Sequence, residues 1–168
     1  MGNATLQTES HMLLLAITSE KASYAHLAAA ASASTSPKAR RLYNQLALDE
    51  LKHLLTLVSV MDGLADDCLT QLDLTFPGSC LPDPLPQTEE QILSSTMAEE
   101  EESRRLFADL GDGADREELR TLLELLCAEE EDHLTRLRTL LYGLEADRPV
   151  VAKWLRSIRR LVPAAYLP

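Results

Sequence analysis

The sequence predicts an all-α fold, a bundle of four long helices, and three observations lead to that prediction. Leucine, alanine and glutamate are abundant whereas aromatic residues make up only 4% of the 168 residues, a composition that favours helices. Apolar side chains recur at steps of three and four residues over four separate stretches, as on the buried face of a bundled helix. Prolines and glycines fall between these stretches or at their ends.

A short break separates the first two predicted helices. The first is expected over about residues 8–31. Ser36 and Pro37 combine an N-cap with a proline at the first helical position, which is a good start signal. The second helix is therefore expected to begin there and to end before Gly63.

Two further helices are expected in the second half of the chain. Residues 88–91 have the capping-box pattern Thr-x-x-Gln, and the helix that they open is expected to end near Gly111. Residues 115–118 have the related pattern Asp-x-x-Glu. The fourth helix is expected to run from there to Gly143.

The connection between helices 2 and 3 is much longer than the other two. Residues 64–72 have a short helical pattern, but the prolines within residues 77–86 rule out a long helix. A connection of about 25 residues is long enough to cross the whole bundle. Helices 2 and 3 are therefore expected to run parallel, joined by one long crossover.

The chain is expected to form a single domain over residues 1–168, with the bundle in about residues 8–145. A short C-terminal helix is expected over about residues 149–163. Its pattern places apolar and basic side chains on opposite sides, which would suit it to cap the bundle or a neighbouring subunit.

Each of the four helices carries a carboxylate on its apolar face, and two of them also carry a histidine. The six residues are Glu20, Glu50, His53, Glu100, Glu130 and His133. In both Glu-x-x-His pairs the two side chains can reach one point beside the helix, because residues three apart are neighbours on a helix surface. Glu20, Glu50 and His53 each lie 80 residues before their counterpart, so the sequence resembles one helix pair written twice.

A pair of metal ions explains these six side chains best. Four ionised glutamates within one buried layer would repel one another, and no lysine or arginine falls on the four faces to balance them. Two divalent cations would neutralise the four charges, and each imidazole would give one ion a nitrogen ligand. Iron suits such a mixed set, and manganese or zinc would also fit. The alternative is that the six residues are protonated or solvated without a metal.

Other candidate residues have simpler interpretations. Tyr24 and Tyr43 lie on the apolar faces one or two turns from the acidic residues, where core packing is their expected role. A phenol in that place could instead bond to a metal ligand or carry an electron. His11 and His26 are expected to be ordinary surface or edge residues.

Charge and cysteine content exclude several classes of protein. The net charge of −11 argues against DNA or RNA as the main partner, since phosphate binding needs a basic surface. The three cysteines form no C-x-x-C pair, which suggests reduced thiols and a cytoplasmic protein. The apolar run over residues 12–17 is too short to span a bilayer, so no membrane partner is expected.

Over about residues 8–145 the sequence resembles the rubrerythrin branch of the ferritin-like family. Four motifs carry the resemblance: Glu20-x-x-Ser23, Ala47-Leu-Asp-Glu-Leu-Lys-His53, Glu100-x-x-Ser103-Arg-Arg-Leu-Phe107 and Ala128-Glu-Glu-Glu-Asp-His133. The resemblance implies a non-haem di-iron centre, a ligand pattern typical of ferritin-like bundles. It implies that Glu20 and Glu100 are terminal ligands, that Glu50 and Glu130 bridge the irons, and that each histidine binds one iron.

The sequence departs from that family in two places. Rubrerythrins carry a further glutamate three residues after the third-helix ligand, where this chain has Ser103. The cysteine pairs of the rubredoxin module are also missing from the sequence. An external electron donor is therefore expected.

The expected function is that of a di-iron oxidoreductase that reacts with hydrogen peroxide or O2, as a rubrerythrin-like peroxidase or a ferroxidase. One alternative is an iron-binding protein linked to storage, which holds metal without turnover. Another is a helical interaction module that keeps the bundle but has lost the chemistry. A homodimer or a higher homo-oligomer is expected.

Overall fold

A computed structural model describes residues 2–62 and 88–146, and all regular structure within these residues is helical. The predicted all-α four-helix bundle is confirmed. Its helices are α1 (Gly2–Ala33), α2 (Pro37–Asp62), α3 (Glu89–Gly113) and α4 (Glu117–Ala146). The first helix starts earlier than predicted, and α4 continues past Gly143 because a single glycine lowers helix stability only modestly.

The contacts between helices establish the topology of the bundle. Ser34, just after α1, contacts Glu89 at the start of α3, and Ser23 contacts Ser103 near the middle of both helices. Glu9, near the start of α1, contacts Arg116 just after α3, so α1 and α3 run antiparallel. The short turn between α1 and α2 makes these two helices antiparallel as well. Helices α2 and α3 therefore run parallel, as predicted for the ferritin-like arrangement, and residues 62 and 88 lie at opposite ends of the bundle.

Two apolar clusters fill the interior, one towards each end. The Phe107 cluster contains Leu13, Ala16, Ile17, Leu54, Leu57, Met61, Phe107, Leu110, Ala114, Leu119, Leu123 and Leu126. The Tyr43 cluster contains Leu27, Ala30, Ala31, Ala39, Tyr43, Leu46, Ala47, Ile92, Leu93, Leu137 and Leu140. Between the two lies a layer of buried polar side chains, so the core is interrupted at the middle of the bundle.

Two glutamates from opposite halves of the chain cap the turns of the other half. The Glu89 carboxylate accepts hydrogen bonds from the Ser34 hydroxyl at 2.6 Å and from the backbone N–H groups of Thr35 and Ser36 at 3.0 and 3.3 Å. The Glu9 carboxylate accepts from the Arg116 N–H at 3.2 Å and forms an ion pair with its guanidinium at 2.8 Å. These carboxylates satisfy N–H groups that a helix start leaves without an intrahelical partner.

The cross-capping follows the internal repeat. Glu9 and Glu89 are 80 residues apart, as are the groups Ser36 and Arg116 that they contact. When a residue of the first pair contacts a residue of the second, and their two counterparts contact each other in the same way, an approximate twofold axis relates the two pairs. The two helix pairs of this chain are arranged in this way.

Two arginines satisfy helix ends in the same symmetric manner. Arg40 donates to the carbonyl of Ser34 at 2.7 Å, and Arg120 donates to the carbonyl of Ala114 at 2.6 Å. A cationic donor at the last carbonyls of a helix is favourable, because these groups carry partial negative charge. Each helix pair is thus closed at its turn by its own arginine and by the other pair's glutamate.

The predicted helix starts have different outcomes. At α3 the capping box is present: the Thr88 hydroxyl accepts from the Gln91 N–H, and the Gln91 side chain accepts from the Thr88 N–H. At α4 the helix starts at Glu117, and the Arg116 carbonyl accepts the first helical bond from Arg120. There the carboxylate of Glu9 takes the place that the sequence had suggested for Asp115.

Two predicted features lie outside the described residues, namely the helical pattern of residues 64–72 and the C-terminal helix of residues 149–163. None of the described helices is both long enough and apolar enough to cross a membrane.

The cap formed by Glu89 gives a stability prediction. Glu89→Ala removes the acceptor for four donors, one of them on the buried Ser34, and should lower the free energy of unfolding by about 1–3 kcal/mol. Urea unfolding followed by circular dichroism measures this. The control is Glu118→Ala, an exposed acidic residue in the first turn of α4, which should cost less than about 1 kcal/mol. Equal losses in the two variants would contradict the capping role.

Candidate metal centre

All six sequence-predicted residues lie in the polar layer between the two apolar clusters. Every helix contributes a glutamate from its inward face, and α2 and α4 each add a histidine one turn further along. None of the six is more than 5% exposed to solvent: Glu20, Glu50, His53, Glu100, Glu130 and His133. The alternative in which these side chains are solvated is therefore wrong for the described structure.

The six side chains form two overlapping groups of four. The His53 position is bounded by Glu20, Glu50, His53 and Glu130, and the His133 position by Glu50, Glu100, Glu130 and His133. Within each group, one potential ligand atom from each residue lies within 4.8 Å of the others. Glu50 and Glu130 belong to both groups, so their carboxylates lie between the two positions.

The Nδ1 atoms of both histidines face the carboxylates. His53 Nδ1 is 3.5 Å from Glu20, 3.8 Å from Glu50 and 3.7 Å from Glu130. His133 Nδ1 is 2.9 Å from Glu100, 3.0 Å from Glu50 and 3.4 Å from Glu130. Ligands that each lie about 2.0–2.2 Å from one ion are themselves separated by roughly 3–4 Å. The spacing within the two groups is therefore compatible with one ion at each position.

Buried oxygens without partners provide a second test of the fit. Within the described residues, both carboxylate oxygens of Glu20, Glu50 and Glu130, one of Glu100, and Nδ1 of His53 accept or donate no hydrogen bond. Buried polar atoms in native proteins are almost always paired, because desolvating them without compensation is costly. A concentration of unpaired donor atoms at one place fits a site that is completed by cations.

The electrostatics of the layer shift the pKa values of its groups in opposite directions. Burial raises the pKa of Glu130 to about 8 and that of Glu20 well above its ordinary value. Burial alone would lower the pKa of both imidazoles, but the surrounding carboxylates raise the pKa of His53 to about 11 and that of His133 to about 12. Without metal ions the layer thus retains protons to offset its negative charge, and cations would compete with those protons.

Glu50 behaves differently from the other carboxylates. Burial favours its neutral form, yet contacts with Glu20 and with the two histidines lower the pKa of Glu50 to about 2. Glu50 therefore stays ionised between the two imidazoles. It is one of the two carboxylates shared by both positions.

Two residues that the sequence analysis missed lie beside the outer nitrogens of the histidines. The Glu129 carboxylate contacts His53 Nε2, and Asp49 Oδ2 lies 4.0 Å from His133 Nε2. Asp49 and Glu129 are 80 residues apart, and each immediately precedes a shared glutamate. That repeated position was the available signal, but charged residues beside a buried face are usually solvated.

Buried hydroxyls occupy the place where the resemblance implies a further glutamate. The hydroxyl of Ser103 shares hydrogen bonds of 3.1 Å with those of Ser23 and Ser19, which ties α3 to α1. Ser23 and Ser103 are counterparts in the repeat, so their mutual contact lies at the approximate twofold axis. At this position the structure therefore has hydroxyl groups in place of a fifth carboxylate.

The remaining candidates lie away from the two positions. Tyr43 is fully buried in its apolar cluster, consistent with core packing, and burial raises the pKa of its phenol. Tyr24 is partly buried against the same cluster. His11 is exposed, and His26 Nε2 lies 3.4 Å from the Thr96 hydroxyl, so this edge histidine has a polar neighbour in the layer.

A cleft between α2 and α4 leads to the two histidines. Its volume is about 490 Å³, and both His53 and His133 line it. Asp49 and Glu129 are also at its wall, together with Lys52 and Arg136. Among the described helices, this cleft offers a route by which a small molecule can approach the polar layer.

In a comparison with protein families, the family described as Rubrerythrin matches residues 12–141. This range includes all six inward residues and most of the four helices. Searches of curated proteins and of solved structures gave no match.

The pKa shifts predict how the metal-free protein responds to pH. Glu130 and both histidines bind their protons more tightly in the folded chain, so their contribution to stability is complete at low pH. The stability contributed by Glu130 is lost as the pH rises from about 4.5 to 8. The stability contributed by the histidines is lost as the pH rises from about 6.5 to 11 for His53 and to 12 for His133. Chelator-treated protein should therefore be less stable to urea at about pH 9 than at about pH 6, by at least about 1 kcal/mol. Glu130→Gln should flatten this dependence, and a rise in stability over the same interval would contradict it.

Proposed function

Because the chain belongs to the rubrerythrin family, we propose that it is a di-iron protein of the ferritin-like type that reduces hydrogen peroxide or O2. The observation that carries the proposal is the pair of overlapping four-residue groups that share Glu50 and Glu130. A single-ion site would not need two shared carboxylates and two inward imidazoles. The buried Glu/His layer and the family together point to bound metal, and iron is the proposed one.

The proposed ligand roles follow from the grouping. Glu50 and Glu130 would bridge the two ions, while Glu20 and Glu100 would each bind one ion at an outer side. His53 and His133 would each give one ion its Nδ1 atom, which already faces the carboxylates. Four carboxylates and two divalent ions sum to zero charge, which removes the main cost of burying the layer.

When bound, a pair of ferrous ions supplies the two electrons that convert hydrogen peroxide and two protons into two molecules of water. The chain's own residues prepare the place for that reaction. The Phe107 and Tyr43 clusters keep bulk water out of the layer from both ends of the bundle. The cleft between α2 and α4 is the proposed access route for the oxidant, because it reaches both imidazoles.

An electron donor must restore the ferrous state after each turnover. We propose that a separate carrier protein or small reductant does so, unless ferrous ions are themselves the substrate, as in a ferroxidase. The chain is proposed to act in the cytoplasm as a homodimer or a higher homo-oligomer.

A second candidate function is iron binding linked to storage, without turnover. The net charge of −11 favours it, since an acidic surface raises the local concentration of cations. A helical interaction module without chemistry fits less well, because the described structure keeps all six inward residues converged and several of their donor atoms unpaired.

Removing a shared carboxylate tests the proposed ligands. Glu50→Ala or Glu130→Ala should prevent binding of two metal ions while leaving the protein helical, because each change removes a ligand of both positions. Elemental analysis after loading with Fe²⁺, with circular dichroism beside it, measures both properties. Glu102→Ala, an exposed neighbour of Glu100, is the control and should still bind two ions. Two irons in either ligand variant would refute the bridging roles.

The reaction is tested by loading the full-length protein with Fe²⁺ under anaerobic conditions and then adding hydrogen peroxide or O2. Turnover predicts iron-dependent loss of the oxidant and a change in visible absorption as the site is oxidised. Size-exclusion chromatography distinguishes the alternatives further, since a large cage would favour storage and a dimer a peroxidase role. Iron-loaded protein that consumes neither oxidant would rule out the oxidoreductase proposal.

A further inference from the structure

The two histidines face the layer in the same way, but their outer nitrogens have unequal surroundings. Nε2 of each ring points to the carboxylate of an equivalent residue, Glu129 for His53 and Asp49 for His133. The first pair is in direct contact, whereas the second is separated by 4.0 Å, which is too long for a hydrogen bond. Glu129 and Asp49 therefore occupy equivalent positions in the repeat, but only Glu129 is in hydrogen-bond contact with its histidine.

The asymmetry has a visible cause in the positive charges of the cleft. Lys52 donates to Asp49 Oδ1 at 2.6 Å, and Arg136 donates to Asp49 Oδ2 at 3.3 Å. These two cations hold the Asp49 carboxylate through direct contacts with both of its oxygens. Lys52 and Arg136 thus offset the negative charge of Asp49, which weakens its attraction for His133.

Glu129 has no equivalent competition. Among the ion pairs of the described residues, its only partner is His53, although its side chain is 48% exposed. Lys52 and Arg136 line the same cleft, but within the described residues they form their ion pairs with Asp49 and Asp132. The full negative charge of Glu129 is therefore available to the Nε2–H group of His53.

A carboxylate at the outer nitrogen of a histidine has a known physical effect. It fixes the tautomer with hydrogen on Nε2, so that the Nδ1 lone pair faces inward, and it makes that nitrogen a stronger donor to a metal. Nδ1 of His53 has no hydrogen-bond partner and faces three carboxylates of the His53 position. His133 lacks this support at 4.0 Å and rests instead against Glu100 and Glu50.

We propose that Glu129 is a positioning residue that makes the two metal positions unequal, so that the His53 position takes its ion first and holds it more tightly. This inference rests on the proposed two-metal site. Asp49, its counterpart in the repeat, does not give the His133 position the same support because Lys52 and Arg136 engage its carboxylate. The two ions are therefore bound in order, although their ligand types are the same.

The test uses Zn²⁺ as a diamagnetic probe on the full-length protein. Calorimetric titration of the metal-free chain should resolve two dissociation constants, and the ring ¹⁵N signals of His53 should respond before those of His133. Glu129→Gln should weaken the tighter constant by about 10–100-fold, the usual effect of losing such a partner. Asp49→Asn removes the same charge at the equivalent position and should change either constant by less than about tenfold.

The outcomes separate the two proposals. Failure of the unmodified chain to bind two Zn²⁺ ions would overturn the metal site and this inference together. Two ions bound with a single affinity, His133 responding first, or equal losses in the two variants would overturn the inference alone. Thermal unfolding of the metal-free variants accompanies the titrations. A role of Glu129 in folding alone would lower that stability and leave the order of metal binding intact, which would also overturn the inference.

Discussion

The burial of four carboxylates in one layer is the constraint on which the rest of this structure depends. Isolated ionised groups in an apolar interior are costly, and a bundle of this size could have filled the space with leucine. The layer instead separates the Phe107 cluster from the Tyr43 cluster and leaves several oxygens without partners. Bound cations, or protons where no cation is bound, must neutralise the negative charge of the four carboxylates.

The duplicated helix pair explains how such a layer is held in place. Glu9 and Glu89 each cap the turn of the opposite pair, and Ser23 meets its own counterpart Ser103 at the centre. Contacts of this isologous kind fix the two pairs relative to each other from both ends and from the middle. The shared carboxylates Glu50 and Glu130 can then approach each other despite their charge.

Much of the architecture was predictable because helix periodicity is a local property. The spacing of leucines around Glu130 and Glu50 indicated which residues face inward, and the structure brings those residues together. The roles of Glu9, Glu89, Asp49 and Glu129 were not predictable, because their partners lie on other helices. A charged residue beside an apolar face looks the same in sequence whether it is solvated or paired.

The central claim is that this layer is completed by two metal ions. Anomalous diffraction at the iron edge, from crystals of the iron-loaded protein, tests it most directly. Two peaks are predicted, one at the His53 position and one at the His133 position, with Glu50 and Glu130 between them. A layer without anomalous peaks, or iron bound only at surface carboxylates, would contradict the account.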